Sequence, residues 1–311
     1  MKIAFVGKGG SGKTTLSALF TRRLVAARAP VLAIDADINQ HLATALGATD
    51  EQALTLPTLS AHLPLIKDWL RGSNPRIASA EAMIKTTPPG AGSRLLKVVE
   101  DNPVYAACVR EVDGARLALT GPFTDDDLGV ACYHSKVGAA ELLLNHMVDG
   151  PGEYVVVDMT AGADSFASGL FTRFDLTALV CEPTLRSVGV YRQYLGYAKD
   201  FGIRIAVIGN KVCDQDDLDF LREEVGDNLL CWLGRSQHVR KAERGRTLPI
   251  SELEKDNLEA LDAIRAELDG TVRDWAAYQR QAVEFHLRNA RAWAGEGLAA
   301  QVDPGFIPSA R

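Results

Sequence analysis

Residues 7–14, which read GKGGSGKT, constrain the fold more than any other segment of the chain. They follow a short apolar run at 3–6 and precede residues 14–28, in which apolar side chains recur at helical spacing. A second apolar run, 31–34, ends in Asp35. A strand, a glycine loop, a helix and another strand within about 35 residues form the repeating unit of parallel sheets. We therefore expect an α/β fold.

Further apolar runs predict more strands of the same sheet, at residues 117–119, 154–157, 176–180 and 203–208. Helical patterning occupies other segments, at residues 135–148, 164–173, 185–201 and 214–225. Continuous apolar strands that alternate with helices are typical of strands buried on both sides. The pattern predicts a mostly parallel sheet with helices covering both faces.

The domain organisation follows from where these strands lie. Residues 50–115 contain six prolines and have little periodicity, so we expect a mostly helical insertion with loops. Strands flank this region on both sides, which favours one enlarged domain over 1–270, although the length alone would allow about two domains. Residues 271–294 predict a helix within a C-terminal arm, 271–311, that ends in an irregular tail. Mixed charges on this helix favour docking on its own domain over a membrane-surface or partner-docking role.

The glycine loop matches two fingerprints at once. Its glycines fit G-x-G-x-x-G, and with Asp35 at the end of the next strand they would suit a dinucleotide-binding turn. The loop also fits G-x-x-x-x-G-K-[ST], the P-loop, whose backbone N–H groups wrap phosphates while its lysine neutralises their charge. A dinucleotide-binding turn does not require a lysine followed by a threonine, whereas the P-loop requires both Lys13 and Thr14. The P-loop is therefore the favoured interpretation. It predicts a phosphate-binding set comprising Gly9, Gly10, Ser11, Gly12, Lys13, Thr14 and Thr15, with the Thr14 hydroxyl on Mg²⁺.

A second lysine, Lys8, makes the loop more specific. GKGGSGKT resembles the deviant Walker A loop, KGGxGKT, of the MinD/ParA (SIMIBI) class of P-loop ATPases. The resemblance implies a P-loop NTPase fold for 1–270 and an ATP-sandwich homodimer. In such a dimer Lys8 would reach across to the nucleotide of the partner and act with Lys13 in catalysis. The alternative for Lys8 is a solvated loop lysine.

Residues 33–37, AIDAD, resemble switch I of the same class. Asp37 lies 24 residues after Lys13, where the class has its water-positioning aspartate, so the resemblance implies a catalytic role for Asp37. The alternative is a strand-end carboxylate that caps a short helix at 40–46.

Residues 154–158, YVVVD, place an aspartate directly after four apolar residues at a strand end. A carboxylate at this position of a P-loop protein holds Mg²⁺ through water, which is the role expected for Asp158. The following residues, 158–162, resemble switch II, where a glycine N–H meets the γ-phosphate.

Residues 209–213, GNKVC, bear on the choice of base. A guanine-specific N-K-x-D would need an acid at Cys213, and Asp214 comes one residue late. Asn210 resembles the adenine-contacting asparagine of MinD-like ATPases, which favours ATP and places Asn210 and Lys211 at the nucleotide. The alternative for Asn210 is a turn residue at a strand end.

Three longer segments resemble the CooC-like ATPases of carbon monoxide dehydrogenase maturation, at residues 31–47, 155–170 and 179–194. The chain departs from that group at Ile38, His41 and Thr160. Nickel members of the group carry a C-x-C that two subunits pool on one metal. Here the corresponding stretch retains Cys132 with His134 two residues later, a set that would suit Zn²⁺ or Ni²⁺ in a dimer. The alternative is a buried structural cysteine.

Composition limits the environment and partners. The chain has 34 basic and 40 acidic side chains, and this acidic balance argues against nucleic-acid binding. Its five cysteines contain no C-x-x-C, which predicts reduced thiols and a cytoplasmic protein, and no long apolar run predicts a membrane span. Together with the motifs, the resemblance to the MinD/ParA class implies a slow, switch-like, Mg²⁺-dependent ATP hydrolase that acts on an unknown client. An ATP-bound scaffold without turnover is the alternative, and a dinucleotide-dependent oxidoreductase is a distant one.

Overall fold

The computed structural model describes residues 1–122, 133–162, 166, 168–293 and 296–308, without the side chains of 133–135, 293 and 296. Ten strands lie within this part of the chain: β1 (Lys2–Gly7), β2 (Val31–Ala36), β3 (Leu96–Lys97), β4 (Val109–Val112), β5 (Ala115–Leu119), β6 (Met147–Val148), β7 (Tyr154–Met159), β8 (Leu176–Cys181), β9 (Ile205–Val212) and β10 (Leu229–Gly234).

Eight of these strands form one sheet in the order β10-β9-β8-β1-β7-β2-β5-β4. Neighbouring strands are parallel except the pair β4 and β5, which is antiparallel. The remaining two, β3 and β6, form a small parallel pair. The prediction of a mostly parallel sheet is therefore confirmed. Because β1 lies between β7 and β8, the loop after β1 is surrounded by the carboxyl ends of its neighbours.

Eleven α-helices accompany the strands in the described residues: α1 (Lys13–Ala26), α2 (Leu42–Leu46), α3 (Asp50–Thr55), α4 (Leu63–Arg71), α5 (Pro103–Cys108), α6 (Tyr133–Asn145), α7 (Leu185–Ala198), α8 (Gln215–Val225), α9 (Gln237–Ala242), α10 (Lys255–Asp269) and α11 (Trp275–Trp293). Helices α1 and α10 pack on one face of the sheet, and α6, α7 and α8 pack on the other. Along β1, Ile3 and Phe5 face the first layer while Ala4 and Val6 face the second, as the strand alternation requires. Helices therefore cover both faces, as the sequence predicts.

Several element boundaries differ from the sequence predictions. The last predicted strand, 203–208, lies at Ile205–Val212 and so includes the Asn-Lys pair. The helix predicted at 135–148 ends at Asn145, because β6 follows it directly. In the region predicted as a helix at 164–173, the described residues include a 3₁₀ turn at Leu170–Arg173. The tail also contains a 3₁₀ segment, Glu296–Gln301.

Several elements are absent from the sequence predictions, among them β4, β10 and α10. Strands β4 and β10 lie at the two edges of the sheet and expose part of their residues. Strand β4, VREV, has charged residues between its valines and so gives no continuous apolar run, whereas β10, LLCWLG, contains an apolar run to which the sequence analysis assigns no strand. Helix α10 buries one face against β10 and α1. Its opposite face carries many charged residues, so the sequence shows only a weak apolar pattern there. Within 50–115 the structure has α3, α4 and α5 together with β3 and β4.

Helix α11 is anchored to the sheet by buried ion pairs near the amino ends of the strands. Arg273, just before this helix, donates from Nη1 to Asp149 at 2.5 Å and from Nε to Asp175 at 2.7 Å. Lys2 on β1 also donates to Asp149, at 2.5 Å. Further along the helix, Phe285 stacks edge-on against Phe171, with ring centroids 5.2 Å apart. The arm thus packs against its own chain.

Candidate nucleotide-binding site

The glycine loop turns sharply after β1, and two of its glycines have no room for a side chain. Gly7 has φ +145°, and a Cβ there would lie 2.5 Å from the carbonyl oxygen of Val180 on β8. Gly12 has φ +99°, and its Cβ would lie 2.2 Å from Nδ2 of Asn210. The turn therefore requires glycine at both positions, as the motif predicts.

The loop leads directly into the N-terminus of α1, where unpaired backbone N–H groups and the helix dipole favour an anion. Lys13 is the first residue of this helix and is only 6% exposed. Its Nζ lies 3.4 Å from the backbone oxygen of Lys8, so the loop curls around the lysine. Gly10 has open space around the position of a Cβ, in a left-handed conformation with φ +80°. This arrangement fits a phosphate chain.

A hydroxyl and a carboxylate meet beneath the loop. The Thr14 hydroxyl donates to Oδ2 of Asp158 at 2.6 Å, and the Ser17 hydroxyl donates to Oδ1 of the same carboxylate at 3.2 Å. Burial raises the pKa of Asp158 above its usual range, so a cation there would offset the cost of ionising it. Hard oxygen donors of this kind are what Mg²⁺ requires, so Thr14 and Asp158 fit the ion.

Asp35 lies opposite Asp158 on the adjacent strand β2 and is completely buried. Its carboxylate accepts backbone N–H groups of Asp37 at 3.1 Å and Leu42 at 2.9 Å. Asp35, not Asp37, therefore holds the start of the short helix α2. Burial and the charge of Asp158 both raise the pKa of Asp35. This internal role leaves Asp35 unsuited to the ribose contact that a dinucleotide-binding turn would need.

Asp37 lies at the carboxyl end of β2, where the sequence places switch I. It is 9% exposed, and its Oδ1 accepts the backbone N–H of Asn39 at 2.9 Å and the amide of that side chain at 3.1 Å. This local turn fixes the carboxylate at the edge of the sheet that carries the P-loop. The catalytic role of Asp37 stays a prediction.

Lys8 is near a carboxylate that the sequence analysis did not assign, Glu182 after β8. The Lys8 ammonium is 3.8 Å from Glu182 Oε2, and its side chain is 37% exposed. Lys211 donates to Glu182 Oε1 at 2.7 Å and to the backbone oxygen of Gly10 at 2.7 Å. The glutamate therefore brings together both lysines at one rim of the loop. The local signal for Glu182 in the sequence is an acid directly after a buried strand.

Asn210 contacts the loop itself. Its Nδ2 donates to the backbone oxygen of Ser11 at 2.7 Å, and the residue is 7% exposed, within β9 rather than in a turn. Asp214, the acid that comes one position late for guanine recognition, accepts the N–H of Asp217 at 3.0 Å and caps α8. Asn210 thus braces the phosphate loop, and its contact with adenine stays a prediction.

Switch II connects the loop to α7. The N–H of Gly162 donates to the backbone oxygen of Gly7 at 3.1 Å, and the Tyr194 hydroxyl donates to the oxygen of Gly162 at 3.1 Å. Movement of Gly162 would therefore change contacts both at the P-loop and on helix α7.

The transition-metal prediction falls on a region that is only partly described. Cys132 lies outside the described residues, as does the side chain of His134. Elsewhere in the described chain, no group of three or more His, Cys, Asp or Glu side chains could hold a metal. Across the same residues, none of the helices has the length and apolar character needed to cross a membrane.

Comparison with known proteins decides the family. A profile described as the CobQ/CobB/MinD/ParA nucleotide binding domain matches residues 3–250. The chain belongs to this MinD/ParA family. It carries the deviant Walker A loop of these nucleotide-binding ATPases, and the P-loop interpretation is therefore confirmed over the dinucleotide-binding one.

Within the MinD/ParA family, the chain is similar to the carbon monoxide dehydrogenase accessory protein CooC of Rhodospirillum rubrum. The two are 35% identical over 223 residues, covering 71% of this chain and 78% of the relative. A ParA family ATPase from Chlorobium tepidum TLS has a TM-score of 0.58 at 17% identity, covering 85% of this chain and 97% of that one. The septum site-determining protein MinD of Pyrococcus horikoshii OT3, complexed with Mg-ADP, has a TM-score of 0.56 at 17% identity and covers 86% and 96%. The predicted fold and the resemblance to CooC-like ATPases are confirmed.

Proposed function

We propose that this protein is a slow Mg²⁺-dependent ATPase that works as a nucleotide-gated homodimer and switches or loads a client protein. The observation that carries the proposal is the Thr14–Asp158 pair beneath a loop that encloses the buried Lys13. These groups are the parts that phosphoryl transfer requires: charge neutralisation, an oxygen set for Mg²⁺ and a rigid phosphate cradle.

Each group has a defined task in this proposal. The loop N–H groups and Lys13 bind the β- and γ-phosphates and stabilise the charge that develops during transfer. Mg²⁺, when bound, would neutralise phosphate charge from the side of Thr14 and Asp158. Asp37 orients the attacking water, with its carboxylate held by the Asn39 turn. Little covalent chemistry is left for the protein, so its contribution is positioning and electrostatics.

Lys8 supports the dimeric part of the proposal. Its side chain is partly exposed at the rim of the loop and, among the described residues, makes only a long ion pair with Glu182. An exposed pair at this distance contributes little free energy, so Lys8 is free to exchange Glu182 for the phosphates of a second subunit. Gly162 and Tyr194 would pass the state of the nucleotide from the P-loop to α7, where a client could detect it.

The relative from Rhodospirillum rubrum is named as an accessory protein of carbon monoxide dehydrogenase. We infer a client of the same kind, an enzyme whose metal centre must be assembled. In that case two copies of Cys132 and His134 could carry Zn²⁺ or Ni²⁺ as cargo between subunits. Metal analysis of the purified dimer tests this branch, with Cys132→Ser as the control; the absence of stoichiometric metal would end it.

Single-turnover hydrolysis tests the main proposal. Asp37→Ala and Lys8→Ala should each slow phosphate release by about 100-fold, as the removal of one positioned charge typically does. Lys255→Ala is the control, because Lys255 is exposed on α10 and pairs only with Glu259 among the contacts described. If both site variants hydrolyse ATP at the wild-type rate, the assigned roles are wrong. If ATP drives dimerisation without phosphate release, the protein is a nucleotide-dependent scaffold.

A further inference from the structure

An aromatic cluster connects the segment after switch II with the C-terminal arm. Neighbouring rings lie between 4.3 and 5.3 Å apart, centroid to centroid, in tilted or edge-on pairs. Ring pairs in this geometry attract one another beyond the effect of burying their surface. The rings come from the segment after switch II, from α7 with the turn that follows it, and from α11. They are Phe166, Phe171, Tyr194, Tyr197, Phe201 and Phe285. Displacement of one segment is therefore resisted by the others.

The cluster reaches the P-loop through Gly162. The hydroxyl of Tyr194 donates to the backbone oxygen of Gly162 at 3.1 Å, and the ring of the same tyrosine lies edge-on against Phe166, 4.8 Å away. Phe166 also follows Gly162 by only four residues in the chain. Gly162 in turn donates its N–H to the backbone oxygen of Gly7 at 3.1 Å. Movement of Gly162 at the P-loop would therefore displace Phe166 and Tyr194.

The arm packs against the other side of the cluster. Phe285 on α11 is 7% exposed and lies edge-on against Phe171, with centroids 5.2 Å apart. The backbone of Gly169 allows this approach, because a Cβ there would lie 2.7 Å from Cβ of Phe285, and its three nearest atoms would all belong to that side chain. Gly169 has φ −84°, which any residue adopts, so the glycine serves close packing and not a turn. Arg173 adds a hydrogen bond to the backbone oxygen of Tyr278 on α11, at 2.9 Å. Helix α11 thus packs directly on the chain that follows switch II.

The N–H of Gly162 has two competing acceptors in the proposed function. A backbone carries one N–H donor per residue, and here that donor is bonded to Gly7. The resemblance of residues 158–162 to switch II implies that the same N–H meets the γ-phosphate, which requires it to leave Gly7. Gly162 has φ +86° and open space around the position of a Cβ, so the chain is free to turn there. The segment after switch II then has two arrangements, and α11 packs on the one in which Gly162 is bonded to Gly7.

We propose that the C-terminal arm is an intrachain restraint on switch II. By packing on Gly169 and Phe171, α11 stabilises the arrangement in which Gly162 is bonded to Gly7, so docking of the arm and binding of the γ-phosphate oppose each other. Because coupling between two sites is reciprocal, a weaker arm strengthens triphosphate binding, and bound triphosphate weakens the arm. ADP has no γ-phosphate and is compatible with the docked arm. The inference rests on the proposed function, since it requires ATP at the P-loop, whereas the arm itself lies beyond the residues 3–250 that the family profile matches.

Two substitutions loosen this contact without touching the P-loop. Gly169→Ala keeps an allowed backbone and places one methyl group against Phe285, which pushes α11 outward. Phe285→Leu removes the ring but retains apolar volume, so it carries the test if the alanine variant fails to fold. Thr86→Val is the matched control, because it removes the hydrogen bond between Thr86 Oγ1 and Nδ1 of His286 on α11, 3.2 Å apart, and leaves the rings in place.

Calorimetry in the presence of Mg²⁺ measures dissociation constants for ADP and for a non-hydrolysable ATP analogue. The quantity compared is the ratio of the two constants within one protein, so a general loss of stability or of phosphate affinity cancels. Relative to wild type, Gly169→Ala and Phe285→Leu should each shift this ratio toward the triphosphate by about fivefold, the lower end of the usual coupling between two sites. Thr86→Val should leave the ratio unchanged.

Hydrogen exchange of α11 tests the reverse direction. The ATP analogue should accelerate exchange of the backbone amides of residues 275–293 in wild-type protein by about the same factor, and ADP should not. Burial of α11 in a dimer interface would slow this exchange, so acceleration cannot arise from dimerisation. In Gly169→Ala, exchange in α11 should be fast with either nucleotide.

Each alternative outcome has a definite meaning. If wild type binds the ATP analogue but neither substitution changes the ratio, the arm does not restrain switch II and the inference is wrong, while the proposed function stands. A shift toward ADP would show that the arm supports the γ-phosphate arrangement, which also overturns the inference. An equal shift in Thr86→Val would remove the role assigned to the contact between Gly169 and Phe285. If wild type binds neither nucleotide, the proposed function fails first and the inference falls with it.

Discussion

The ammonium group of Lys8 lies 3.8 Å from the carboxylate of Glu182 in its own chain. The same glutamate accepts a hydrogen bond from Lys211, which also holds the backbone of Gly10. The MinD/ParA resemblance implies that Lys8 contacts a second subunit. In this structure Lys8 instead forms an ion pair within its own chain, with Glu182, which lies shortly before α7. In the proposed dimer, this pair would compete with the contact of Lys8 across the interface.

The first prediction concerns this competition. Glu182→Gln should favour the ATP-bound dimer several-fold, because it weakens an exposed ion pair worth less than about 1 kcal/mol. Lys8→Ala should abolish ATP-dependent dimerisation. Sedimentation velocity with a non-hydrolysable ATP analogue measures both effects. Glu224→Gln is the matched control, since it breaks an ion pair with Arg192 on α7 that does not touch the P-loop. Equal dimer fractions in all variants would show that Glu182 does not restrain Lys8.

The second prediction concerns the hydroxyl groups around Asp158. Thr14 and Ser17 both contact this carboxylate, at 2.6 and 3.2 Å, but only Thr14 belongs to the loop motif. Thr14→Ala should reduce Mg²⁺-dependent hydrolysis by about 100-fold, whereas Ser17→Ala should reduce it only a few-fold. A Mg²⁺ titration of phosphate release compares them. Similar losses in the two variants would mean that the hydroxyls act through the packing of Asp158 and not through the ion.

The third prediction separates two roles of Asn210. If Asn210 only braces the Ser11 carbonyl, its loss should weaken the binding of ATP and of purine riboside triphosphate, which is ATP without its amino group, equally. The expected loss is about fivefold, for one hydrogen bond of about 1 kcal/mol. If Asn210 contacts the adenine amino group, its loss should weaken the binding of ATP alone. Calorimetry on Asn210→Ala distinguishes the two. We expect equal losses, because the amide nitrogen is already 2.7 Å from the loop.

How far the sequence could predict this site depends on the distance along the chain between the interacting groups. The P-loop, Asp37 and Asp158 each follow a short apolar strand, and local patterns place them because parallel strands end at the same edge of the sheet. The central strands are buried on both faces, so their apolar runs are also continuous and easy to detect. The edge strand β4 lacks this signal, because charged residues interrupt its sequence, VREV.

The remaining features depend on contacts between distant segments. Glu182 meets Lys8 only because β8 lies beside β1, and no local pattern records that pairing. Such roles become visible only with the tertiary contacts.

The fourth prediction concerns the pH dependence of stability. Glu141 on α6 is completely buried, and burial raises its pKa to about 7, although Lys85 and the N–H of Gly169 partly oppose this. The folded protein then holds a proton that the unfolded chain releases near pH 4. The associated stability is fully present below about pH 4 and is lost as pH rises to about 7, by up to about 3 kcal/mol.

Glu141→Gln should therefore raise the free energy of unfolding at pH 8 and change it little at pH 4. Its side-chain oxygen can still accept the N–H of Gly169, which lies 3.2 Å from the native carboxylate. Urea unfolding at pH 4, 6 and 8 provides the measurement, with the exposed Glu223→Gln as control. A constant difference between variant and wild type across this range would show that Glu141 does not titrate there.

The last prediction concerns the anchor of the C-terminal arm. Arg273 is nearly buried between Asp149 and Asp175, and its Nη1 lies 2.5 Å from Asp149. Burial alone would raise the pKa of Asp149, but Lys2 and Arg273 hold it well below its usual range. Removal of one partner from a buried ionic cluster leaves uncompensated charge and is strongly destabilising.

Arg273→Met should therefore lower the free energy of unfolding by about 3 kcal/mol, while Arg280→Met should change it by less than about 1 kcal/mol. Arg280 is the matched control because its ion pair with Asp274 is exposed on both sides. Urea denaturation gives the stability, and limited proteolysis reports whether α11 detaches before the rest of the chain unfolds. If Arg273→Met costs no more than Arg280→Met, the packing of Tyr278 and Phe285 holds the arm, and the ion pairs contribute little.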